Sequence, residues 1–167
     1  MKPLRALVLG SGIAAAAYAQ QAPLSPMGPS FCADLKAVTA DAGNAFNSFK
    51  GAKISESPRD PQGYATVKYA ASRSLAGAAR CTVEDYLTPD GDPLRSYECE
   101  WTPIGSKTST ASALADATEE CVGVGDPFDR IKTYANDWVE ADIYTDDFEI
   151  NIGAGTSPQV FFTIREP

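Results

Sequence analysis

Four cysteines (Cys32, Cys81, Cys99, Cys121) and no histidine set the terms for any chemistry this chain could perform. Without an imidazole there is no Ser-His-Asp or Cys-His system and no His-ligated metal. The remaining option for acid-base work lies in the carboxylates. Twenty-two Asp and Glu residues offer many pairs, and two convergent carboxyls suffice for a hydrolase. No neighbouring motif singles out one pair, so the sequence names no catalytic residue. Neither GxGxxG nor GxxxxGK[ST] occurs, and "GVGDP" (123–127) follows a helical pattern as a C-cap and turn. "PDGDP" (89–93) lacks the further oxygen ligands and closing glutamate of a calcium loop and reads as a turn. The expectation is therefore no cofactor and no metal.

The cysteines have a different meaning once their compartment is read. Lys2 and Arg5 precede the apolar stretch "ALVLGSGIAAAA", and Ala17-Tyr18-Ala19 places small residues around a cut before Gln20. This is the layout of a secretory signal peptide over residues 1–19, bacterial in style. The run is shorter and richer in Gly and Ala than the roughly 20 apolar residues of a membrane anchor. A secreted or periplasmic location makes disulfides the natural state of four cysteines without CxxC spacing. Cys81 and Cys99 stand equally far from residue 90, inside the turn signal Pro89-Asp90-Gly91-Asp92. Opposed positions of an antiparallel hairpin come within disulfide reach, which predicts Cys81–Cys99. Cys32 and Cys121 remain, one at the start of a first helix and the other at the end of a second. If the helices run antiparallel these ends are neighbours, which predicts Cys32–Cys121.

The elements that must position these residues follow from periodicity. "QQAPLSPMGP" (20–29) reads as an extended leader. Ser30 caps a first helix whose apolar face is Phe31, Leu35, Val38, Ala42, Ala45, Phe46 and Phe49, ending at Lys50-Gly51 with Cys32 on the apolar side. "YATVKYA" (64–70) alternates as a strand, and "LAGA" (75–78) turns into the hairpin around residue 90. Thr108 or Ser109 caps a second helix, with Leu114, Ala117, Thr118 and Cys121 on one face and Gly123 at its end. Residues 126–144 are ambiguous, with a strand favoured at Trp138–Tyr144. "FEINI" and "VFFTI" form a final hairpin. No internal repeat is visible in the residues. The predicted fold is one α+β domain over residues 30–167: an antiparallel sheet of five to six strands, two helices on one face, order α-β-β-β-α-β-β(-β), and two disulfides.

The formal charge is −8, and removal of residues 1–19 takes away Lys2 and Arg5 and moves it to −10. Such a surface disfavours nucleic acid and anionic membranes, whose affinity comes from Lys and Arg neutralising phosphate. It suits a basic protein partner. The aromatics Tyr86, Tyr97, Trp101, Trp138 and Tyr144 fall on or near strands, and the sequence does not say which sheet face they occupy.

The helical "FC–L", "LAGA–C-V", "YECEW", the helix ending in Cys121 and the two terminal strands resemble a loose group of small secreted four-cysteine bacterial proteins of unknown function. The element order is also similar to secretion-chaperone-like folds, helix–sheet sandwiches that bind other polypeptides; topology alone carries no functional residues across. The expected function is an exported, non-enzymatic protein-binding or accessory protein. Alternatives are an inhibitor of a basic secreted enzyme, such as a cell-wall hydrolase, and a carboxylate-dependent hydrolase.

Overall fold

The computed structural model describes residues 27–91, 93–123, 132–134 and 138–166. The signal peptide, its cleavage point and most of the 20–29 leader lie outside the described residues, as do Asp92 and much of the ambiguous 126–137 stretch. Two helices, α1 (Phe31–Thr39) and α2 (Lys107–Val122), cover one face of an antiparallel sheet. Its strands are β1 (Lys50–Glu56), β2 (Ala65–Ala71), β3 (Arg80–Leu87), β4 (Leu94–Trp101), β5 (Lys132–Tyr134), β6 (Trp138–Tyr144), β7 (Glu149–Ala154) and β8 (Val160–Arg165). They lie side by side in the order β1-β2-β3-β4-β8-β7-β6-β5.

The α+β class, the antiparallel sheet and the helix layer are as the sequence predicts. The strand count is not: eight strands replace five or six, and four rather than three separate the helices. Both halves of the chain therefore share one order, a helix followed by a four-stranded meander, and they meet at the central β4–β8 pair. The repeat is one of topology, which is why no residue pattern betrays it.

The extra strand β1 comes out of the expected helix. α1 stops at Thr39, and residues 42–44 and 47–49 form single 3₁₀ turns instead. The Asp41 carboxylate ends the helix by accepting hydrogen bonds from the Ser48 amide at 2.9 Å, the Ser48 hydroxyl at 3.0 Å and Asn44 Nδ2 at 2.9 Å. Such side-chain acceptors compete with helix continuation. Ala45 and Phe46 then take left-handed conformations, at φ 60° and 52°. The expected apolar residues are nevertheless buried, because the turns carry Ala42, Ala45, Phe46 and Phe49 into the same core. Cys32 is exposed rather than on the apolar side. Ser30 stands at the N-cap position, but its hydroxyl donates to Asp34 Oδ2 at 2.8 Å instead of capping the backbone.

The second helix begins earlier than predicted. Ser106, not Thr108 or Ser109, is the N-cap, and it forms a reciprocal capping box with Ser109. Gly123 closes the helix at φ 71°, with its amide on the Glu119 carbonyl. Leu114, Thr118 and Cys121 face the core as expected, joined by Thr110, Ala111 and Ala115, while Ala117 is half-buried. The Thr118 hydroxyl donates to the Leu114 carbonyl at 2.7 Å, which satisfies its polar group in the core.

Both disulfides have the predicted partners. Cys81 and Cys99 are directly opposed in the β3–β4 register with Cα atoms 4.1 Å apart, as for a closely spaced antiparallel pair. Gly91 takes φ 94° in the connecting turn. Cys32–Cys121 ties the first turn of α1 to the last turn of α2 across 89 residues of sequence. Between the layers, Phe31 packs edge-on against Trp101 and Phe162, and Phe49 against Tyr97. The buried Tyr97 hydroxyl donates to the Arg73 carbonyl at 2.7 Å, and burial pushes its phenol above the ordinary value.

Candidate functional site: the helix-free sheet face

Successive residues of a strand point to opposite faces, and register partners share a face. Val83, Tyr97, Cys99, Trp101, Phe162, Ile164, Ile150 and Ile152 fill the helix side. The alternate positions therefore line a face that no helix among the described residues covers. One row across it reads Thr82, Glu98, Thr163, Asn151, Asp142. The adjacent row reads Lys68, Glu84, Ser96, Arg165, Glu149, Tyr144. A third holds Arg80, Glu100, Phe161, Gly153 and Glu140.

This answers the question of the aromatics. Tyr97 and Trp101 are core, whereas Tyr86 and Tyr144 stand on the helix-free face at 41% and 51% exposure; the Trp138 side chain lies outside the described residues. Tyr64 stacks on Tyr86, with ring centroids 5.4 Å apart. Leu94, opposite Tyr86, is 65% exposed, and Ile54 on the edge strand is 59% exposed.

The described side chains of the face comprise six carboxylates (Glu84, Glu98, Glu100, Glu140, Asp142, Glu149) and three cations (Lys68, Arg80, Arg165). Lys68 pairs with Glu84, Arg80 with Glu100, and Arg165 with Glu149 at 3.8 Å. Asn151 Nδ2 donates to Asp142 at 2.6 Å and to Glu140 at 3.2 Å. Glu98 accepts a long 3.4 Å bond from the Ser96 hydroxyl and interacts with Glu84. Burial, then the charge of Glu84 and a hydrogen bond shared with it, raises the Glu98 carboxyl above its ordinary value, against a smaller opposing pull from Lys68.

Two hollows meet at this pair. One, of about 370 Å³, is lined by Thr66, Tyr86, Leu94, Arg95, Ser96 and Arg165. The other, of about 170 Å³, is bounded by Ile54, Lys68, Arg80, Glu100 and Phe161. Glu84 and Glu98 belong to both. The pair escaped the sequence reading, although the hairpin register contained it: with Cys81 opposite Cys99, Glu98 faces Thr82, and Glu84 is the next residue along on that side. Among the described residues, no group of three or more Cys, Asp or Glu side chains could hold a metal ion. The disulfides staple the scaffold.

The fold and this face define a disulfide-stapled, two-layer α+β protein with one sheet face uncovered. No protein-family model, curated protein or solved structure matches the chain.

Proposed function

We propose that this is an exported accessory protein that binds another protein through the helix-free face of its sheet. The observation that carries the proposal is the uncovered face itself. The polar rows of the face are bordered by exposed Tyr86, Leu94, Ile54 and Tyr144, and apolar groups around a polar surface are a mark of interaction sites. Two disulfides are compatible with an oxidising compartment, and the signal-peptide pattern supports secretion or a periplasmic location. No helix of the described residues is long and apolar enough to cross a membrane. The test is a photo-crosslinking residue placed at Thr82 or Tyr86 on the face, or at Asp116 on the exposed side of α2, in the native host. Crosslinks from the face alone support the proposal; equal crosslinking from both sides, or none, counts against it.

A second reading is a carboxylate-dependent hydrolase, favoured by one observation: Glu84 and Glu98 converge, and Glu98 is the group with the raised affinity for a proton. Turnover of cell-wall glycan or peptide substrates that disappears in Glu98→Gln would establish it.

A further inference from the structure

We propose that the occupant of the helix-free face is a basic polypeptide, anchored by a lysine or arginine side chain seated between Glu84 and Glu98. The inference rests on the docking proposal above and names the chemistry of the partner. Charge complementarity selects it. Among the described side chains the three rows carry three more carboxylates than cations, Lys68, Arg80 and Arg165 are each already engaged with a carboxylate, and Arg95, which lines the larger hollow, lies beside Asp85 at 3.8 Å and Glu166 at 3.7 Å. A second copy of this chain would set the same acidic rows against themselves, and at a formal charge of −8 the copies repel.

The shape of the surface locates the anchor. The two hollows meet at Glu84 and Glu98, so an extended side chain can lie along either one and bring its cation to both carboxylates. Phe161 beneath one hollow, and Leu94 and Tyr86 beside the other, give the methylene stem an apolar bed. Lys68 alone serves this pair from β2, and it makes its ion pair with Glu84. An incoming cation supplies the counter-charge that Glu98 lacks. It also displaces the proton that Glu98 holds more tightly than an ordinary glutamate, so binding to the protonated form releases a proton.

Protonation of Glu98 depends on the charged groups around it: Glu84 on β3, Lys68 from β2, Arg80 on β3, Arg95 and Glu100 on β4, Arg165 on β8, and Asp142 and Glu140 from β6 by way of Asn151. Below the range in which Glu98 ionises, the anchor is closed. Above it, the anchor is open.

The probe is an octalysine peptide, titrated into the intact protein by calorimetry in two buffers of different ionisation enthalpy. The account expects binding that weakens at least tenfold in Glu84→Gln/Glu98→Gln and less than twofold in Asp116→Asn/Glu120→Gln, which removes the same charge from the exposed side of α2. It further expects proton release across the pH range in which Glu98 titrates, lost in Glu98→Gln. Equal weakening in both double variants shows general charge attraction and overturns the anchor. Wild-type binding without proton release, or no binding, overturns it too. Face-specific crosslinking that persists in Glu98→Gln overturns the anchor while leaving the docking proposal standing.

Discussion

Deleting the Cys32–Cys121 bridge by Cys32→Ala/Cys121→Ala, with Cys81–Cys99 left intact, perturbs the unfolded chain far more than the folded one. The bridge spans 89 residues of sequence, and chain-entropy arithmetic gives about 4.6 kcal/mol for a closure of that length. The Cys81–Cys99 bridge spans 18, for which the same expression gives about 3.2 kcal/mol. Cys32 is exposed and its truncation removes little packing, whereas Cys121 is buried and loses one sulfur's contacts, so loop closure is the larger part of the loss. With an unfolding entropy of about 0.3 kcal/mol/K for some 140 residues, the variant should melt roughly 15 °C below the parent. Against a net stability of about 5–15 kcal/mol, that removes between about a third and nine-tenths of the total. Thermal circular dichroism and urea titration measure it. A loss below about 1.5 kcal/mol would refute the claim that closing the long loop is what this bridge contributes.

Mild reduction of the native protein should open Cys32–Cys121 first, because Cys32 is exposed whereas Cys81 and Cys99 are buried; alkylation followed by peptide mapping reads the order, and labelling of Cys81 before Cys32 would contradict it. Glu98 has a raised folded-state proton affinity, so the native state prefers the carboxyl protonated, and stability is lost as pH rises from the ordinary glutamate range through the folded value. Glu98→Gln should therefore raise Tm at pH 7 and leave it unchanged below about pH 4, which melting across pH will check. At Asp34 burial acts to raise the pKa, but the Ser30 hydroxyl, Arg73 and the Ala76 amide outweigh it and the net shift is downward. Its contribution is present above the ordinary aspartate value and lost as pH falls through the folded one; Asp34→Ala should cost about 1–3 kcal/mol at pH 7 by removing the hydrogen bonds that its buried carboxylate accepts, and urea denaturation measures that. Tyr97→Phe should cost about 1 kcal/mol through the lost bond to the Arg73 carbonyl.

What the residues disclosed, and what they withheld, follows from which constraints are local. The β3–β4 register was readable because a turn signal and two cysteines fix one pairing, and a single fixed pair sets every other. β1 was not readable: from Gly51 to Glu56 every residue is exposed, so no alternation distinguishes it from loop. Its role as the sheet edge is visible only in space, where two register shifts against β2 interrupt its pairing. α1 was overextended because the apolar spacing continues through Phe49, while Asp41 captures the backbone and hydroxyl groups that turn the chain. The Glu84–Glu98 pair lay within reach of the hairpin register, but its standing on an uncovered face depends on both helices packing against the other side. That is a long-range fact, and no window of sequence carries it.

The central claim is that the helix-free face docks a protein, and hydrogen exchange on the partner-bound protein tests it most directly. With the partner recovered by face-specific crosslinking, bound and free protein are compared amide by amide. The account predicts slowed exchange in β3, β4 and β8 around Glu84, Glu98 and Thr163 and in the Tyr86–Leu94 hairpin, with α1 and α2 unchanged. Slowing confined to α1 and α2, with the sheet unchanged, would contradict it.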